Sequence, residues 1–274
     1  MSKKKLSFFP YAGGKSLIAD DIIKLIPEHT IYVEPFGGSA KVLLNKAPSK
    51  IEVYNDADLR LSNLFYVVAF KFDEFIEKLN RLVYSRGIYR KFFNDLKLKY
   101  LTLNELGDVD LAVKTYLMIY SSFGGQINAN SFRIDHTRGG AKTFFNSLDK
   151  LEAIHNRLKN VVIEYLNYDK ILKKYLDRED AFIYLDPPYF NAEHYYDAKF
   201  TDHKHMLSLL KQAKAKWLLS GYANELYDTE LKDFYRLEIP SVKSVYGITE
   251  ANKHLTNERP KALEILWANY EINL

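Results

Sequence analysis

The stretch AFIYLDPPYFNAEHYY, Ala181 to Tyr196, changes abruptly from a continuous apolar and aromatic run into Asp186-Pro187-Pro188-Tyr189. A short continuous apolar run suits a strand buried on both faces of a largely parallel sheet. At the mouth of that strand stand an acid and two prolines. A carboxylate accepts hydrogen bonds, prolines donate none, and Pro187 adds a carbonyl whose direction its rigid neighbours fix. Two acceptors facing one point suit an amino group with two hydrogens, such as the exocyclic amine of a nucleobase. Accepting both hydrogens draws the nitrogen lone pair out of ring conjugation, where it can attack an electrophilic methyl. Tyr189 is then placed to stack on the base. An Asx-Pro turn that only ends a strand accounts for the same four residues about as well.

Outward from this strand, further β-rich pieces stand at Ile31–Val33, Ile51–Tyr54, Val161–Ile163, Lys216–Ser220 and Ala262–Trp267. Helical spacing appears at Leu17–Leu25, at Lys41–Asn45, and through Leu148, Leu151, Ile154 and Leu158. Alternation of this kind indicates an α/β layered domain. From about Phe70 to Lys150 the alternation breaks. Helices are expected over Phe72–Val83, Tyr89–Tyr100 and Asp110–Tyr120, after which Gly124-Gly125 and Gly139-Gly140 bracket the polar segment QINANSFRIDHTR. This reads as a helical insert carrying a β-ribbon or long loop.

A chain of 274 residues forms one large domain, or a main domain with an insert. With 47% hydrophobic residues it can build a core, and with 27% charged residues it should be soluble. No apolar run approaches the ~20 residues that cross a bilayer, and Met1-Ser2-Lys3-Lys4-Lys5 does not lead into a secretory signal. Cysteine is absent, which excludes disulfides, thiolate chemistry and cysteine-ligated zinc, and fits an intracellular protein. Histidines are scattered, so no metal is expected; His203 and His205 read as the start of a solvated helix. The net charge is only +4, but Arg81, Arg86, Arg90, Lys91, Lys97 and Lys99 cluster against the single acid Asp95 between Arg81 and Tyr100. Tyr84, Tyr89, Phe92, Phe93 and Tyr100 interleave with them. Such a mixture can neutralise phosphates and stack on bases, although composition alone favours an ordinary amphipathic helix with a basic face.

Three more motifs matter. FFPYAGGKS, Phe8 to Ser16, places two glycines and Lys15 before a helix but lacks the full P-loop spacing, which argues against a nucleoside triphosphate site. Its plain reading is a tight turn into a helix capped by Ser16. VEPFGGSA follows the strand at Ile31–Val33, where glycines let a backbone approach a ligand at the carboxyl edge of a sheet. The next strand ends in YNDAD, placing Asp56 where α/β nucleotide folds hold a ribose hydroxyl, about twenty residues beyond the glycine.

Taken in order, YAGGK, VEPFGGSA, NDAD, a variable insert and DPPY resemble the DNA adenine-N6 methyltransferases of the Dam-like (D12 class) family, in the α-type motif order. The resemblance spans nearly the whole chain, through the closing KALEILWANY. It implies an α/β fold: a Rossmann-like S-adenosylmethionine-dependent methyltransferase sheet with a mainly helical target-recognition insert. Residues 1–68 and 153–274 would form the cofactor-binding and catalytic domain, and residues 69–152 the insert. The implied reaction moves the methyl of S-adenosylmethionine to adenine N6, with Asp186, Pro187 and Tyr189 as catalytic residues. Tyr11, Ala12, Gly13 and Lys15 would lie at the cofactor and active-site wall, Tyr11 standing where a tryptophan is often found. Glu34, Pro35, Phe36, Gly37 and Gly38 would line the cofactor, Asp56 would take its ribose, and Asp186 would border it as well. Asn167-Tyr168 stands where the family usually has an acid and an aromatic; the amide can still pair with the cofactor adenine.

The resemblance also implies double-stranded DNA as partner and a target base flipped out of the duplex, at a cost of a few kcal/mol. Arg81, Arg86, Arg90 and Lys91 would then face DNA. If extended, residues 126–130 put Gln126, Asn128 and Asn130 on one face, where amides can pair with adenine in the major groove. Arg133 and Arg138 could read guanine or hold phosphates. The FNVPFG-like run of GATC-specific members is absent, so that target is not implied. A cognate restriction endonuclease is a candidate partner, and a cytoplasmic, bacterial or phage-encoded monomer or weak dimer, not bound to a membrane, is expected. Two other readings compete: an RNA methyltransferase acting on an exocyclic amine, and a catalytically silent DNA-binding subunit. Protein glutamine methylation ranks lower, because such enzymes usually carry asparagine where Asp186 stands.

Overall fold

The computed structural model describes residues 5–11, 15–99, 106–122, 125, 131–134, 139–189, 202–242 and 261–274. Its strands are β1 (Ile31–Glu34), β2 (Ile51–Asn55), β3 (Val161–Glu164), β4 (Ala181–Leu185), β5 (Lys216–Gly221), β6 (Tyr235–Val242) and β7 (Lys261–Ala268). The helices begin with α1 (Ala19–Lys24), α2 (Lys41–Asn45), α3 (Leu59–Phe70), α4 (Phe72–Asn80), α5 (Arg86–Lys99) and α6 (Val109–Ser121). They continue with α7 (Gly140–Leu148), α8 (Leu151–Leu158), α9 (Tyr168–Tyr175), α10 (His203–Leu210) and α11 (Glu225–Glu230).

One sheet runs in the order β3-β2-β1-β4-β5-β7-β6. Strands β1 to β5 pair in parallel, and β7 lies antiparallel between β5 and β6. This is the α/β layering expected from the strand pattern, in the Rossmann-like order that the resemblance implies. The strand order reverses between β1 and β4, so a crevice opens beyond their carboxyl ends, where ligands of such sheets bind.

Alternation along the strands divides the interior into two layers. Tyr32, Tyr54, Phe182, Tyr184, Leu218 and Leu266 join a core shared with Phe8, Phe9 and helices α3 to α8. Val33, Val53, Ile183, Leu219 and Trp267 face the other layer, against α9, α10 and α11. The region 69–152 holds α4 to α7 and the start of α8; α4 to α7 pack on α3 and on one another and share one continuous core with the first face of the sheet. An isolated antiparallel bridge, Ser122 to Phe132, stands where a ribbon or loop is expected.

The structure departs from the sequence reading in informative places. β6 is not apparent in the sequence because Pro240 interrupts it; it pairs only with β7, and an edge strand tolerates a residue without an N–H. α3 gives little amphipathic signal, since ten of its twelve residues are buried, Arg60, Ser62 and Asn63 among them, and a helix buried nearly all round has no solvent stripe. Its N-cap is Asp58, whose side chain accepts from the Arg60 N–H and pairs with the Arg60 guanidinium at 2.6 Å. Ser16 is not a cap: α1 starts beyond it, with Ile18 at the N-cap. Among the described residues no helix is long and apolar enough to cross a membrane.

Candidate active site

Period-two alternation places the ends of four strands on one face. Glu34 follows Tyr32, Asp186 follows Tyr184, and Ser220 follows Leu218, all on the side shared with the N-terminal segment. β7 runs the opposite way, with Ile265 opposite Gly221 and Leu266 opposite Ser220. Its early residue Glu264 therefore emerges at the edge where the parallel strands end. Lys15, just before α1, reaches into this cluster and is almost fully buried.

The Lys15 Nζ donates to Asp186 Oδ1 at 2.5 Å and to the Tyr189 hydroxyl at 2.5 Å. Tyr189 in turn donates to Glu264 Oε1 at 2.5 Å, and the Ser220 hydroxyl donates to Asp186 Oδ1 at 3.2 Å. Both bonds to Asp186 fall on Oδ1, which leaves Oδ2 as an acceptor. Tyr189 itself is only 6% exposed, and its ring meets Tyr222 edge-on with centroids 4.5 Å apart. The ring expected to stack on the base is thus part of the wall of this cluster. Glu264, Ser220 and Tyr222 are the members of this cluster that the sequence reading missed. The signal available was an acid in an otherwise apolar strand.

Beside the cluster, the turn after β1 is built for close approach. A Cβ on Gly37 would stand 2.2 Å from the Tyr54 ring, and Gly38 has φ +48°. The Tyr54 hydroxyl donates to the Gly38 carbonyl at 2.9 Å, and the Gly38 N–H donates to Asp56 Oδ2 at 2.8 Å. The other Asp56 oxygen accepts from the Asp58 N–H at 2.8 Å, so each oxygen keeps a further lone pair. Burial, with the neighbouring Asp58 charge, pushes the Asp56 carboxyl up to about 7. Asn55 binds the Pro35 carbonyl at 2.8 Å and the Leu166 carbonyl at 3.0 Å, joining the ends of β1, β2 and β3. Beyond it, the Phe36 and Tyr168 rings stack at 5.5 Å, and exposed Asn167 caps α9. An acid with spare acceptor capacity, an aromatic pair and an exposed amide suit a ribose and a purine. Ala12 and Gly13 lie outside the described residues.

Glu34 faces inward and is 2% exposed. Its Oε1 accepts the Tyr32 hydroxyl at 2.6 Å and the Leu43 N–H at 2.8 Å, bracing α2 against β1. Burial pushes its carboxyl from 4.5 up to about 7. A raised folded value means the contribution to stability is complete below the unfolded value and is lost as pH rises through about 7. Glu34→Gln removes that loss. Its stability relative to the wild type is expected to rise by roughly 3 kcal/mol between pH ~5 and pH ~8 in urea unfolding. A pH-independent difference would show that Glu34 is already ionised in the folded chain.

The basic residues of the insert separate by direction. Tyr89, Phe93 and Leu96 are buried, whereas Arg86, Arg90 and Lys91 lie on the exposed side of α5. Of the aromatics expected to stack on bases, Tyr89 and Phe93 belong to the core, Tyr84 and Phe92 pack against it, and Tyr100 lies outside the described residues; Tyr89 pairs with the Ser122 hydroxyl at 3.2 Å. Arg81 is paired with Glu77 at 2.5 Å, which weakens it as a phosphate contact. The Arg86 guanidinium sits 5.2 Å from the Phe132 ring centroid, and the Arg133 backbone bonds Ser121 and Tyr84. Gln126, Asn128, Asn130 and Arg138 lie outside the described residues. His203 and His205 do not pair: His203 starts α10 but is buried, 2.7 Å from the Tyr227 hydroxyl, so that helix start is only partly solvated.

A doubly wound sheet, a glycine turn after β1, an acid after β2 and a polar strand end after β4 define a Rossmann-like α/β protein whose candidate site lies at the switch point. Residues 11–248 match the D12 class N6 adenine-specific DNA methyltransferase family, and the chain belongs to that family. A DNA adenine methylase of Serratia marcescens is 25% identical over 252 residues, covering 85% of this chain and 88% of that protein. One from Vibrio cholerae is 25% identical over 68% of this chain and 66% of its own. One from Escherichia coli K12 is 34% identical over a shorter stretch, 29% of this chain and 28% of that protein.

Proposed function

We propose that this chain transfers the methyl of S-adenosylmethionine to the N6 amine of an adenine flipped out of double-stranded DNA. The observation that carries the reading is the Asp186-Pro187 strand end, held by Lys15 and Ser220 beside the glycine turn of β1. Asp186 Oδ2 and the Pro187 carbonyl accept the two amine hydrogens and aim the nitrogen lone pair. Lys15 and Ser220 keep the carboxylate oriented before substrate arrives, so little reorganisation is needed in the transition state. Tyr189 and Tyr222 wall the base.

Asp56 holds the ribose hydroxyls, Phe36 and Tyr168 hold the purine, and Asn167 meets its edge. Gly37 and Gly38 let the backbone come close, with Tyr11 beside Gly38. When bound, the cofactor supplies a methyl group on a positively charged sulfonium. Arg86, Arg90, Lys91 and Arg133 contact phosphates, with base reading assigned to Gln126, Asn128 and Asn130.

The test is expression in cells that lack adenine methylation, followed by mapping of methylated bases. N6-methyladenine at a defined DNA sequence is the expected result. Methylation confined to RNA, or DNA binding with no methyl transfer at all, would replace this reading with one of its competitors.

A further inference from the structure

We infer that Glu264 is a positioning residue of this site, acting on the target base through Tyr189 and Lys15. The inference rests on the methyltransferase reading above. Glu264 is 3% exposed and so does not meet substrate itself. Its neighbours on the same face of β7, Leu266 and Ala268, are apolar and fully buried. An ionisable side chain in such a place is expensive, and a buried ion pair is weak evidence for a stability role. Packing alone would be served by another leucine.

The contacts give it a task. Glu264 Oε1 accepts the Tyr189 hydroxyl at 2.5 Å and lies 3.5 Å from the Lys15 Nζ. The same hydroxyl accepts from Lys15, which also holds Asp186 at 2.5 Å. Glu264 thus fixes the direction of the Tyr189 hydroxyl and shares the charge of Lys15 with Asp186. Remove its charge and, of these two carboxylates, Lys15 keeps only Asp186. Asp186 is then drawn harder to Lys15, and becomes a weaker acceptor for an amine. The antiparallel course of β7 is what brings this acid to the carboxyl edge of β4 and β5.

The test compares wild type, Glu264→Gln, Tyr189→Phe and the double variant in methyl transfer to DNA. Glu264→Gln is expected to lower kcat at least ~10-fold, with KM for cofactor and DNA changed by less than about twofold. In the Tyr189→Phe background the same substitution should cost clearly less, because the hydroxyl path is cut and only the direct contact with Lys15 remains. A wild type that transfers no methyl overturns both this inference and the function it rests on. With an active wild type, a kcat within about twofold for Glu264→Gln overturns the inference alone. An equal loss in both backgrounds does the same. Should Glu264→Gln fail to fold, Tyr189→Phe cuts the same contact from the other end, and a normal kcat there overturns the inference.

Discussion

Asp186→Ala is expected to slow methyl transfer by about a hundredfold or more, roughly 3 kcal/mol on the barrier, while leaving a folded protein. The carboxylate stands at the switch point with one oxygen already taken by Lys15 and Ser220, so its other oxygen is oriented in advance. Preorganised acceptors of this kind contribute most where charge develops, and alanine supplies none. The fold should survive because Lys15 keeps Glu264 as an anionic neighbour at 3.5 Å. The measurement is single-turnover transfer of a radiolabelled methyl at saturating cofactor, with circular dichroism as the folding control. Near-normal turnover by a folded variant would remove Asp186 from the reaction and sink the proposed mechanism.

What the sequence discloses and what it hides follows from how far apart the cooperating residues are. The ends of β1, β2 and β4 carry their chemistry in a few consecutive residues, so Gly37-Gly38, Asp56 and Asp186 are legible without any structure. Glu264 is not, because its meaning depends on β7 entering antiparallel beside β5, and Ser220 gains its role only from β5 lying parallel beside β4, pairings that no local pattern announces. β6 escaped for a different reason: Pro240 makes it look unlike a strand, and only its edge position makes it one. The basic segment shows the limit of counting residue types. Tyr89, Phe93 and Leu96 recur at intervals of four and three and mark the buried side of α5, with Arg90 and Lys91 on the other side. The resemblance, not composition, made this segment a DNA-facing surface; the helical period separates Tyr89 and Phe93 from Arg90 and Lys91 as core and exterior.

Lys15→Met should be the most destabilising single change at the site, by about 3–5 kcal/mol, because it leaves buried Glu264 and partly buried Asp186 without their cation. Methionine fills much of the lysine stem's volume, so the loss reads charge more than packing. Its pH dependence follows from Glu264. Burial raises the Glu264 carboxyl and Asp186 pushes it further, while Lys15 pulls it back. Without Lys15 only the raising influences remain among these three, and the folded value climbs further above the unfolded one. A raised value gives stability that is complete at low pH and is lost as pH rises through it. The deficit of Lys15→Met should therefore be larger at roughly pH 8 than at pH 5, and adding Glu264→Gln should recover part of it. Urea unfolding of the two variants and the wild type at both pH values makes the comparison. A deficit that grows on acidification, or a double variant no more stable than Lys15→Met, would mean that Lys15 does not compensate Glu264 in the folded protein.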